Sequence, residues 1–224
     1  MEKEINANSG KILNHLYRIS APSLFNRFKV LDPSLLKEIK QINELLPFIP
    51  LMFVKNKQVS DLARQKVSEL LAHIPASRLA NFDEKLRNFF YPDYYKILSK
   101  YWYDLGPSII EKINFNKLVP LKILCCHPNG YVRFNAIRAL VKISIGEAIP
   151  FLILRANDWV DELRKFCHRT LIEAINDKNI CFVVLEYIPL VNHLKRKGRY
   201  DQIKLTRQIE LALLTYCKDE LFNR

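Results

Sequence analysis

Apolar residues recur along this chain at three- and four-residue steps, the spacing that gathers side chains on one side of an α-helix. The clearest early stretch runs from about Val59 to Ile74. There Val59, Leu62, Ala63, Val67, Leu70, Leu71 and Ile74 share a side, and Pro75 ends the pattern. Upstream, Asp32-Pro33 has the form of an N-cap followed by proline at the first helical position. It predicts a helix from Ser34 to about Leu46, closed by Pro47. Pro92 and Pro107 each open a further predicted helix. No segment alternates apolar and polar residues as a half-buried strand does. Only five glycines occur in 224 residues, too few for the tight turns of an all-β chain. The predicted fold class is therefore all-α, with about ten to twelve helices at ordinary helix and loop lengths. The first 30 residues are less regular than the rest.

The chain also repeats itself. Residues 119–143 read VPLKILCCHPNGYVRFNAIRALVKI, and residues 149–175 read IPFLILRANDWVDELRKFCHRTLIEAI. Pro120 falls on Pro150, Ile123 on Ile153 and Leu124 on Leu154. The second copy has one extra residue in its turn; beyond it Val132 falls on Leu163, Arg133 on Arg164, Ala136 on Cys167 and Leu140 on Leu171. Each copy predicts a short helix, a polar turn and a longer helix. The longer helices bury Val132, Ala136, Ala139, Leu140 and Ile143 in the first copy, and Leu163, Cys167, Leu171 and Ala174 in the second. A weaker copy around Ala63, Arg64, Val67, Leu71 and Ile74, and a degenerate one from Cys181 to Tyr216, extend the pattern.

The stretch 118–175 resembles two HEAT repeats. HPNGYVR and RANDWVDELR are similar to segments of bacterial HEAT-repeat proteins of poorly defined function. The resemblance is strongest over about 60 residues. It implies a single helical-repeat domain over residues 1–224, an armadillo-like α-α superhelix of stacked antiparallel pairs, clearest at 118–145 and 148–176. One pair cannot bury its apolar stripe alone, so neighbours stack into a continuous core and present a long concave face. The resemblance also implies that Asp158, Asp161, Arg133 and Arg164, at the repeat turns, serve inter-repeat hydrogen bonding. By type they suit helix N-termini, where Asp is favoured.

Charge changes the picture only partly. The formal net charge is +12 and the pI about 9.5. Residues 1–114 hold 17 Lys and Arg against 12 Asp and Glu, and residues 115–224 hold 18 against 11. The excess is spread rather than gathered in a tail. Arg138 and Arg169 occupy matching repeat positions, with Lys142 four residues after the first and Lys165 four before the second. On a common face these form a basic ladder able to meet phosphates, interrupted at Glu173, or else a solvated helix face. Lys195, Arg196, Lys197 and Arg199 form the densest basic run, either a contact for nucleic acid or acidic lipid or a solvated loop. Residues 89–103, FFYPDYYKILSKYWY, hold eight aromatics, which either pack or stack on a ligand. Trp159 stands at a turn, as an anchor or as packing between repeats.

Catalytic and metal signatures are missing from the sequence. The five cysteines (Cys125, Cys126, Cys167, Cys181 and Cys217) lack a C-x-x-C, and read as reduced core residues of a cytoplasmic protein. The five histidines lack ligand spacing, and no G-x-S-x-G, phosphate-binding glycine loop or H-E-x-x-H occurs. The N-terminal residues carry no apolar stretch, so no signal peptide is expected, and no run approaches the roughly 20 apolar residues of a membrane span. No cofactor or metal is expected. The expected function is a non-enzymatic scaffold that binds a protein partner on its concave face. The alternative is nucleic-acid binding, loosely similar to HEAT-like DNA alkylation glycosylases, where Trp102 with Asp104, or Trp159 with Asp158 and Asp161, would supply the aromatic and carboxylate. A third expectation is a place within a larger assembly, signalled by an exposed apolar helix from about Ile203 to Leu214.

Overall fold

The computed structural model describes residues 46–54, 57–87, 102–113, 118–196 and 200–222. Every regular element among them is helical: a 3-10 helix at Leu46–Phe53, then α1 (Lys57–Leu71), α2 (Ala76–Arg87), α3 (Ile109–Lys112), α4 (Leu118–Leu124), α5 (Gly130–Ile143), α6 (Ile145–Arg155), α7 (Asp161–Ala174), α8 (Lys178–Glu186), α9 (Ile188–Arg196), α10 (Tyr200–Tyr216) and α11 (Lys218–Phe222). The all-α class expected from the apolar spacing is the class observed. The helix expected at Ser34–Leu46, the one opened by Pro92, and the irregular first 30 residues lie outside the described residues.

The chain forms two compact units: residues 1–74 with 88–105, and residues 75–87 with 106–224. In the first, the 3-10 helix packs on α1. Ile49, Leu51 and Met52 meet a stripe of Val59, Ala63 and Val67, all buried. Arg64 Nε donates to the Met52 carbonyl at 3.1 Å, satisfying an acceptor the 3-10 helix leaves open. Leu62, Leu70, Leu71 and Ile74, predicted for the same stripe, are only half-buried. Helix α1 stops at Leu71, three residues before the predicted end, because Pro75 disfavours helical backbone at Ile74.

The second unit contains the repeats. Helices α4 and α5 pack as one pair, α6 and α7 as the next. The Asn129 side chain caps α5 by accepting from the Tyr131 N–H at 2.9 Å. Ser144 alone joins α5 to α6, ending one helix and capping the other. Helices α5, α7 and α10 touch in one row; α4, α6 and α8 touch in another. Helix α6 is apolar around its circumference, with Ala148, Ile149, Pro150, Phe151, Leu152, Ile153 and Arg155 all buried. An all-round apolar helix must be covered on every side. Here α4, α5, α7, α8 and α9 pack around α6, and α2 reaches it through an ion pair. Each large aliphatic side chain so buried contributes about 1.5–3 kcal/mol.

Two sequence expectations change in detail. Helix α5 buries Val132, Arg133, Ala136, Ile137 and Leu140, while Ile143 is 48% exposed and Ala139 half-buried. The buried arc is turned toward Arg133 and Ile137 because α5 packs on α7 as well as on α4 and α6. Ile143, at the last helical position, lies past these neighbours. In α7, Leu163, Cys167 and Leu171 are buried as expected, but Thr170 replaces Ala174. The later copy, expected as one helix pair, contains three helices, α8, α9 and α10. Pro189 supplies no N–H, so the chain breaks at Tyr187 and restarts as α9.

Candidate binding groove

Two rows of side chains leave the buried faces of α5 and α7 and meet in a groove of about 370 Å³ lined by Phe134, Arg138, Glu162, Lys165, Phe166 and Arg169. Helical spacing explains the grouping. Phe134 and Arg138 are four apart on α5; Glu162, Phe166 and Arg169 follow at four and three on α7. The two phenyl rings meet edge to face, with centroids 5.7 Å apart and planes inclined at 72°. Arg138 lies over the Phe134 ring, its Cζ 5.5 Å from the centroid. Both phenylalanines are half-buried, and both arginines are exposed. Among the described residues no carboxylate lies within ion-pair distance of Arg138 or Arg169, so their donors face solvent. A second depression, of about 400 Å³, flanks α7 along Arg164, His168 and Ile172. Lys165 and Arg169 line both, so they stand on a ridge between two grooves.

The basic ladder is realised in part. Arg138, Lys165 and Arg169 converge, but Lys165 is occupied: its Nζ sits 2.6 Å from Asp161 Oδ2. Hydrogen bonding by Asp161 pushes the Lys165 ammonium up from its ordinary pKa, and Lys165 holds the Asp161 carboxyl below its own. Lys142 is exposed one turn beyond Arg138 and is not part of the groove lining. Lys195 and Arg196 lie elsewhere, on α9, where Lys195 Nζ pairs with Glu210 of α10 at 2.7 Å. Lys197 and Arg199 fall outside the described residues. Of the aromatic stretch 89–103 only Trp102 and Tyr103 are described, and Trp102 is 1% exposed.

Behind the groove lies a buried network of ion pairs. Arg133 grips Asp158 with two bonds, Nε to Oδ2 at 2.9 Å and Nη2 to Oδ1 at 2.7 Å. Its remaining nitrogen, Nη1, donates to the His127 and Pro128 carbonyls at 2.8 and 2.7 Å. Asp158 also accepts from Arg155 at 3.1 Å. Arg155 continues to Asp83 of α2, which pairs with Arg87 at 3.1 Å. Burial alone would raise the Asp158 carboxyl; hydrogen bonds and charge from Arg133 and Arg155 outweigh it and hold the pKa below the usual 3.8. Asp158 does not cap α7, whose N-cap is Val160. It accepts from the Val160 N–H at 3.1 Å and so braces the turn instead. Arg164 closes the same turn, donating to the Asp158 carbonyl at 3.0 Å and pairing with Asp161. Of the four residues expected to hydrogen-bond between repeats, Arg133 and Asp158 make such a bond, from α5 to the turn before α7, whereas Arg164 and Asp161 bond within that one turn.

Sequence reasoning missed Phe134, Phe166, Asp83 and Arg155. The phenylalanines interrupt the polar face of otherwise amphipathic helices, a signal that was available. Arg155 ends an apolar run, IPFLILR, where a charge must find a buried partner. Nothing near Asp83 in the sequence named that partner. Trp159 is 68% exposed beside the buried Arg133, whose Cζ lies 6.0 Å from its ring, and Tyr131 is 72% exposed at the start of α5. All five cysteines are buried, and burial raises the thiol pKa of each, that of Cys181 to about 11. Among the described residues no cluster of three or more His, Cys, Asp or Glu is disposed to hold a metal, and no helix is long and apolar enough to cross a membrane. Comparison with protein-family models, curated proteins and solved structures finds no match to this chain.

Proposed function

We propose that this chain is a HEAT-type helical-repeat module that binds a protein partner along the face made by α5 and α7. The observation that carries the reading is the mixed character of the groove. Its floor is a pair of phenylalanines, its rim holds two arginines with no acidic partner among the described residues, and Glu162 and the Lys165–Asp161 pair stand within the same surface. Protein interfaces favour aromatic and arginine anchors in such settings. The bond from Arg133 to Asp158 and the two rows of touching helices support the repeat reading. A nucleic-acid groove would collect basic side chains along a phosphate path. Here Lys195 and Arg196 sit on another helix, Trp102 is buried and Asp158 is engaged by two arginines.

A photo-crosslinking amino acid at position 142, exposed one turn beyond Arg138 and outside the groove lining, tests the proposal in the full chain expressed in cells. Discrete protein adducts at 142, absent when the same group is placed at exposed position 207, are the expected result. In parallel, DNA and RNA binding is followed by anisotropy over a salt series. Tight binding with a steep salt slope, lost in Arg138→Glu/Arg169→Glu, would replace the protein-binding reading with nucleic-acid recognition.

A further inference from the structure

The groove has an order along its length that narrows the partner's chemistry. On α5, Tyr131, Phe134 and Arg138 follow at steps of three and four, so they lie in a line on one face. On α7, Phe166 and Arg169 repeat the order of aromatic first and arginine after. On both helices the arginine thus follows the phenylalanine, and all four side chains line the one groove. Four residues of helix advance about 6 Å between the Phe134 and Arg138 backbone positions, and the Arg138 Cζ itself lies 5.5 Å from the Phe134 ring centroid. In an extended peptide, side chains two positions apart lie on the same face roughly 6.5 Å from each other. We infer, resting on the protein-binding reading above, that the groove takes an extended acidic peptide segment in which an aromatic or large aliphatic side chain and a carboxylate side chain stand two positions apart. The apolar side chain covers Phe134 and Phe166, and the carboxylate accepts from Arg138 and Arg169.

Charge supports the assignment. Lys165 already has its carboxylate in Asp161, whereas Arg138 and Arg169 have none among the described residues. Arg138 is held over Phe134, so its guanidinium loses little freedom on taking a planar carboxylate. The formal charge of +12 draws an acidic segment in from a distance. Glu162, at the aromatic end of the α7 row, repels a carboxylate placed there and so favours one alignment of the peptide over its reverse.

The test uses the full chain and fluorescein-labelled ten-residue peptides of Ser and Gly that carry Phe-Ser-Glu-Ser-Glu or its reverse, read by anisotropy. Replacing Glu by Gln, or Phe by Ala, is expected to weaken binding at least tenfold. Arg138→Ala and Arg169→Ala should each weaken the Glu peptide by about tenfold, the scale of one charged hydrogen bond, and leave the Gln peptide unchanged. Arg196→Ala/Lys204→Ala removes two exposed charges outside the groove and should change little. Equal binding of the Glu and Gln peptides, or equal loss in the α9 and α10 variant, overturns the inference. Arginine-dependent binding of a ten-residue oligothymidylate that exceeds the peptides also overturns it, in favour of phosphate recognition. Adducts at position 142 with peptides that do not discriminate would leave the protein-binding reading standing and remove this one. Circular dichroism confirms that each variant folds.

Discussion

Arg133 and Asp158 are both almost fully buried, so their worth depends on remaining together. Removing one charge leaves the other in the interior. Asp158→Ala strands Arg133 and takes from Arg155 one of its two carboxylates, and should destabilise the chain by about 3–5 kcal/mol in urea unfolding. The pH dependence follows from the direction of the shift. The folded Asp158 carboxyl titrates below its ordinary value of 3.8, so its stabilisation is fully present above that value and is lost as pH falls through the lower, folded-state pKa. Acid titrations of wild type should show this loss below about pH 4, and Asp158→Ala should lack it. The place of both residues at the polar turns of the two copies was legible in the sequence, and the HEAT resemblance implied their bond. Arg155 and Asp83 were not: they are 72 residues apart, and a partner at that separation is chosen by packing alone.

At the scale of elements, the join between successive repeats turns on Gly130. It begins α5, and a Cβ there would collide with the Val160 side chain, a short branched group that is stiff about its first torsion. Gly130→Ala should therefore cost about 1–3 kcal/mol despite alanine's better helix propensity. Val160→Ala in the same chain should recover most of that loss, and a double-mutant cycle measures the coupling. The sequence offered Gly130 only as part of a polar turn. Its close approach to Val160 is a relation between two repeats, invisible within either one. The same limit applies to the groove. Arg138 and Arg169 were legible as matching repeat positions, yet their relation to Phe134 and Phe166 needed the lateral fit of α5 on α7.

For the molecule as a whole, the second unit is more than a file of helix pairs. Helix α9 packs on α2, α6 and α10, and α2 is tied to α6 by Asp83 and Arg155. Asp83→Ala should loosen α2 while Arg155 keeps Asp158. Hydrogen exchange is expected to accelerate across Ala76–Arg87, with little change in Gly130–Ile143 and Asp161–Ala174. Uniform acceleration across the unit would show that the ion pair holds the core itself. Helix α10 leaves Ile203, Leu211 and Leu214 about half exposed. Spacing and proline punctuation determined by themselves that this chain is helical, and the repeated pattern where its two clearest copies lie, because these depend on the order of residues within a few turns of chain. Tertiary structure alone decided that α6 is enclosed, that Asp83 completes a buried chain of charges, and that two arginines are left over a phenylalanine floor. Those outcomes depend on which surfaces of separate helices meet, and a one-dimensional pattern records only what each surface could offer.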